Sequence, residues 1–150
     1  MLRSSGSSSD DPGSTPRTRA RTGNNKDKQT LTILVVDDDE TNLTLARALL
    51  EADGFAVVTA MDAMSTFDVL KDVDPALILM DIQLPGMDGW ELTRRLKKNI
   101  ATSHIPVIAV TAYGQQGDVE RARLAGFVEF VAKPVSTRHL PSIIRKHLKP

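Results

Sequence analysis

The chain contains no cysteine, which removes disulfides, thiolate nucleophiles and thiolate zinc sites together. Its three histidines, His104, His139 and His147, are scattered rather than spaced as metal ligands; they read as solvated or capping residues. No apolar run approaches the roughly 20 residues a membrane-spanning helix needs. The amino terminus lacks the apolar core of a secretory signal. Formal net charge is +0, so nothing global argues for nucleic acid or a membrane surface as a partner. The expectation is one soluble cytoplasmic domain, since 150 residues hardly hold two.

What is present centres on Ala76–Trp90, ALILMDIQLPGMDGW. A short apolar run ends in Asp81 and is followed at once by the turn residues Pro85, Gly86, Asp88 and Gly89. Such a run reads as a strand buried on both faces. A carboxylate at its end sits where sheet gives way to loop, the edge at which parallel α/β folds bind ligands.

Residues 1–29 are dominated by Ser, Gly, Pro, Thr, Asn and charges. A segment with so little to bury does not offset its ordering entropy and is expected to be a disordered tail. Its basic residues Arg17, Arg19, Arg21, Lys26 and Lys28 read as a solvated leader rather than a contact for an acidic partner. Residues 30–150 form the predicted domain. Strands are expected at Leu31–Val36, Phe55–Ala60, Ala76–Met80, Val107–Thr111 and Phe127–Ala132. Helices are expected at Thr41–Asp53, Asp62–Asp72, Trp90–Lys98 and Gly117–Ala125, with a last one capped by Ser136 and running to about Leu148. Pro141 should disturb the first turns of that last helix. Strand–helix alternation implies an α/β fold, a parallel sheet with helices on both faces; if the sheet is doubly wound with order 2-1-3-4-5, strands one and three are neighbours at its switch point.

In that topology the strand ends share one edge. Asp37 and Asp38 follow strand one, Asp81 strand three, Thr111 strand four and Lys133 strand five. Three acids meeting in partial burial repel, at roughly 4 kcal/mol per pair at about 4 Å and an effective dielectric of about 20. Lys133 supplies one positive charge. A hard divalent ion, magnesium or manganese, would supply the rest. A metal held by acids beside an ammonium and a hydroxyl suits a phosphoryl group, with Asp81 as the nucleophile.

VVDDDE, LILMDIQLPGMDG, VTA and KP, in that order, resemble the receiver domain of bacterial two-component response regulators. The resemblance runs from Leu31 to Leu148, and in look it is closest to single-domain cell-division regulators of the DivK type. Receiver modules of hybrid histidine kinases share much of the wording. The resemblance implies a flavodoxin-like (CheY-like) fold and a phosphorelay module. A histidine kinase or histidine phosphotransfer protein would then phosphorylate it. Such a module is not an enzyme beyond its own phosphorylation and dephosphorylation. It implies Asp81 as phosphoacceptor, Asp38 as direct magnesium ligand, Asp37 as ligand through water, and Gln83 as donor of a main-chain carbonyl. Thr111, Ala112 and Lys133 would contact the phosphoryl group, and Phe130 would take the aromatic switch position, unless it is simply a core aromatic. Gln83 and Tyr113 would flank the phosphate, Tyr113 shielding it from water. Lys133-Pro134 would be a cis bond. With no DNA-binding segment after Leu148, output is expected as protein contact through helix four, strand five and helix five.

Rival readings have weaker residue support. A phosphatase of the haloacid-dehalogenase type wants a second Asp where Gln83 stands. Nucleotide binding wants a glycine-rich loop after strand one, and none is there. A binding module that never takes phosphate would have no use for Asp37, Asp38, Asp81, Thr111 and Lys133 together.

Overall fold

Alternation along the strands sorts the apolar residues into two layers, one on each face of a sheet. The computed structural model describes residues 30–111, 116–133 and 139–148, with the backbone alone at 116–118. Its elements are β1 (Thr32–Val36), α1 (Glu40–Ala52), β2 (Ala56–Ala60), α2 (Ala63–Asp72), β3 (Leu77–Asp81), α3 (Gly89–Lys98), β4 (Val107–Thr111), α4 (Gln116–Ala125), β5 (Glu129–Ala132) and α5 (Leu140–His147). All pairings are parallel, as the alternation predicts, and the order is β2-β1-β3-β4-β5, that of the CheY-like fold the resemblance implies.

On one face, Leu34, Val36, Ile78, Met80, Val107 and Ala109 pack against Ala63 of α2, Leu92 and Leu96 of α3, and Ala122 and Ala125 of α4. On the other, Ile33, Val35, Leu77, Leu79, Ile108 and Val110 pack against Leu43 and Leu50 of α1 and Leu140 and Ile144 of α5. The central strands are buried along their whole length, which is why they read as unbroken apolar runs. Each fully buried Leu or Ile contributes about 1.5–3 kcal/mol by leaving water.

Helix starts are set by acids. Asp39 accepts the backbone N–H of Thr41 at 2.8 Å, Asp62 that of Ser65 at 2.8 Å, and Asp88 that of Glu91 at 2.9 Å. These are N-caps satisfying donors the helix leaves open. Gly54 and Gly126 follow α1 and α4 with positive φ of 96° and 109°, the conformation that ends helices at glycine.

Three expectations shift. Asp81 closes β3 from within rather than following it. β5 starts at Glu129, not Phe127; the Phe127 N–H bonds the carbonyl of Ala122 at 3.0 Å and finishes α4, so its burial reflects packing rather than strand pairing. Pro141 does not break the last helix but stands in its first turn, where no backbone N–H is needed. Ser136, predicted as its cap, lies outside the described residues. Among the described residues, no helix is long and apolar enough to cross a membrane.

Candidate functional site

Backbone bonds carry the sheet register past the ends of β1, β3 and β5. The N–H of Asp37 donates to the carbonyl of Ala60 at 3.1 Å, that of Ile82 to Val110 at 3.1 Å and that of Lys133 to Thr111 at 2.7 Å. In the strand alternation Asp37 falls in step with Val35, Asp81 with Leu79 and Lys133 with Val131, all on the α1/α5 side. The Lys133 Nζ therefore lies 3.3 Å from Asp37 Oδ2 and 3.2 Å from Asp81 Oδ2, and one ammonium serves two carboxylates.

Asp37 and Asp81 are buried, at 6% and 5% exposure, whereas Asp38 is exposed. Carboxylate oxygens of the three lie within 4.8 Å of one another. Other polar groups fix the two buried acids. Asp37 Oδ1 accepts the N–H of Asp39 at 2.9 Å, and its Oδ2 accepts Nδ2 of Asn42 at 3.2 Å. Asp81 Oδ1 accepts the N–H of Gln83 at 3.0 Å.

Electrostatics at the cluster follow from this burial. Burial pushes the Asp81 carboxyl above its ordinary value; Asp37 adds to the rise, and the Gln83 N–H and Lys133 offset only part of it. For Lys133, burial works against the charge, but Asp81 and Asp37 outweigh it and raise the ammonium's pKa. The cluster thus keeps its ammonium charged and still carries more negative charge than that ammonium balances. Three oxygen donors so close together, two of them in a dry setting, suit a hard divalent cation such as magnesium or manganese. The donor set contains no softer ligand. Beside the cluster, between α1 and α5, lies a cavity of about 370 Å³ whose walls include Asn42, Leu49, Leu79, Leu140 and Lys133.

The structure brings together Asp37, Asp38, Asp81, Lys133 and Gln83, the last through its N–H. Thr111 ends β4, 2% exposed, and by the strand alternation belongs with Val107 and Ala109 on the α3/α4 side of the sheet. Phe130, half-buried, packs on that same side. Ala112, Tyr113 and Pro134 lie outside the described residues. Histidines stand apart from the site: His104 pairs with Asp74 at 3.2 Å, His147 with Glu129 at 2.6 Å, and His139 precedes α5 without capping it.

Two contributors escape a reading of the sequence. One is Asn42. The other is Gly89, which looked like a turn residue. A Cβ on Gly89 would lie 2.7 Å from the carbonyl oxygen of Asp81 and 2.7 Å from Cα of Ile82. Its N–H bonds the Ile82 carbonyl at 2.8 Å. Glycine here lets α3 start against the backbone that carries Asp81.

The family described as "Response regulator receiver domain" matches residues 33–145. The chain is 40% identical over 119 residues to the polar-differentiation response regulator DivK of Brucella ovis, covering 79% of this chain and 97% of that protein. Among solved structures it is similar to a CheY-like receiver domain protein from Methanospirillum hungatei, at 30% identity and TM-score 0.72, covering 79% of this chain and 93% of that one. It is also similar to the receiver domain of the sensor histidine kinase PA1611 from Pseudomonas aeruginosa, at 31% identity and TM-score 0.71, covering 79% and 97%. That protein was solved with a magnesium ion coordinated in its active site cleft.

Proposed function

The chain belongs to the receiver domains of the response regulators of two-component systems, and on that premise we propose that Asp81 is the residue that takes the phosphoryl group. The single observation that carries this reading is the Lys133 ammonium, 3.2 Å from Asp81 and 3.3 Å from Asp37. It supports the reading because a cation beside Asp81 is within reach of the oxygens of a phosphoryl group carried there.

The donor is a phosphohistidine of a histidine kinase or a histidine phosphotransfer protein. An Asp81 oxygen attacks phosphorus, the phosphorus–nitrogen bond breaks, and the departing imidazole picks up a proton from solvent. Lys133 moves from the carboxylates toward the phosphoryl oxygens, and the Thr111 hydroxyl donates to one of them. Magnesium or manganese, when bound to Asp37, Asp38, Asp81 and the main-chain carbonyl of Gln83, supplies positive charge at those oxygens. The domain is no enzyme toward other molecules; it promotes only its own phosphorylation and dephosphorylation. Gln83 and Tyr113 flank the phosphate and tune how long it lasts.

Output runs through α4, β5 and α5. Thr111 and Phe130 share the sheet face toward α3 and α4, so drawing Thr111 toward phosphate opens space into which Phe130 moves. This is a two-state shift biased by phosphorylation. The target is a protein rather than nucleic acid or membrane, and the setting is the cytoplasm. Residues 30–150 are the receiver and residues 1–29 a tail. The same reading serves a free-standing regulator and a receiver within a hybrid kinase.

Transfer of labelled phosphate from a phosphohistidine protein or a small acyl phosphate tests it. Labelling should require magnesium, be released by base and by hydroxylamine as an acyl phosphate is, and vanish in Asp81→Asn. Labelling of Asp81→Asn at the parent's rate would overturn the assignment.

A further inference from the structure

We propose that Asn42 is a positioning residue for the carboxylate cluster, its side-chain amide fixing Asp37 in the orientation that receives a divalent cation. The inference rests on the reading of Asp37, Asp38 and Asp81 as a metal site.

A carboxylate turns easily about its last torsion, which has no sharp staggered minima. Asp37 is held only if both oxygens have donors. The Asp39 N–H holds Oδ1 at 2.9 Å. Oδ2 has two donors, Lys133 at 3.3 Å and Asn42 at 3.2 Å. Lys133 is a poor anchor, because it is shared with Asp81 and must leave when a phosphoryl group arrives. Asn42 is not shared and sits on a helix. Only the amino end of its amide can face a carboxylate, which accepts and never donates when ionised.

The local sequence supports a role beyond the helix itself. Asn42 is the third residue of α1, in the first turn, where an Asn side chain readily bonds nearby backbone. Here its own backbone N–H reaches the Asp39 cap at 3.4 Å, while its side chain makes no capping bond and turns back to Asp37. The Asp39 cap sets the first turn of α1 directly over β1's tip, so the same three-residue step that starts the helix aims Asn42 at the cluster. A first-turn side chain that donates to a buried acid rather than to its own helix is placed for the acid. Partners of metal ligands typically change affinity by about 10–100-fold when removed.

The test is calorimetric titration of magnesium into the full chain and into Asn42→Leu and Asn42→Ala. Leu keeps the shape without the donor, and Ala is the better helix former, so the fold is retained in at least the second. Both variants should bind magnesium about 10-fold more weakly, with melting temperature in chelator not lowered for Asn42→Ala. Labelling by an acyl phosphate should return to the parent's rate once magnesium is raised by the same factor. An unchanged magnesium affinity overturns the inference. So does a labelling defect that persists at saturating magnesium. If the parent binds no magnesium at all, the reading of the cluster as a metal site fails first, and the two failures are told apart by the parent's own titration.

Discussion

Asp62 and Asp81 carry the same carboxylate and sit in opposite settings. Asp62 stands half-buried at the start of α2, where the Ser65 N–H and hydroxyl hold its carboxyl below the ordinary range. Asp81 ends a buried strand, and burial holds it above that range. The first acid completes hydrogen bonds that a helix cannot make for itself; the second is kept where its charge is poorly solvated. Comparing them separates acids that support the fold from acids the fold supports. A buried strand-end acid that shares one half-buried ammonium with another acid belongs to the second kind.

Variants can break or sharpen this contrast. The largest effect is expected at the cluster: Asp37→Asn should weaken magnesium binding by at least about 10-fold without lowering the melting temperature in chelator, because Lys133 keeps Asp81 as its partner. Calorimetry and thermal denaturation measure the two halves. A variant that melts well below the parent would place Asp37 among the structural acids. Next comes Gly89→Ala, whose methyl would press on the Asp81 carbonyl. Overpacking of this kind costs about 1–3 kcal/mol, outweighing the better helix propensity of alanine, and denaturant unfolding would detect it. Smaller still is Asp88→Ala, which removes the α3 cap at a cost of about 1 kcal/mol and should leave magnesium affinity as it was.

The smallest effect separates a third kind of acid. Burial pushes the Glu129 carboxyl up, but His147 and Lys146 outweigh it and leave it below its ordinary value of 4.5. A depressed acid contributes stability above its unfolded pKa and loses it as pH falls through the folded one. The difference in melting temperature between the parent and Glu129→Gln should therefore be present at about pH 5 and close as the pH falls below the ordinary 4.5. A gap that widens on acidification would show that the α5 contacts do not hold the ionised form.

The fold was legible because each strand carries its own punctuation. LILM is apolar at every position, so both faces are covered, and Asp81 marks the sheet edge. The five groups at strand ends were legible for the same reason: a parallel sheet gathers its carboxyl ends by topology alone. Asn42 and Gly89 were not, since each matters through a distance across the fold. Asn42 reads as an ordinary helix residue until the Asp39 cap turns it onto Asp37. Gly89 reads as a turn until α3 is seen against the backbone of Asp81 and Ile82. The start of α5 was not legible because Pro141 falls inside a helix opened at Ser136 but in the first turn of one that opens at Leu140.

Gly89 is followed by Trp90, the chain's single tryptophan. Its ring meets Phe127 edge-on at 5.7 Å and lies under the guanidinium of Arg121 at 4.3 Å. The indole is thus one residue from the contact with Asp81's carbonyl and in touch with α4 on its other side. Its emission, which needs no dye, is therefore a signal to try in titrations of magnesium or an acyl phosphate, where a change would report movement between α4 and the end of β3.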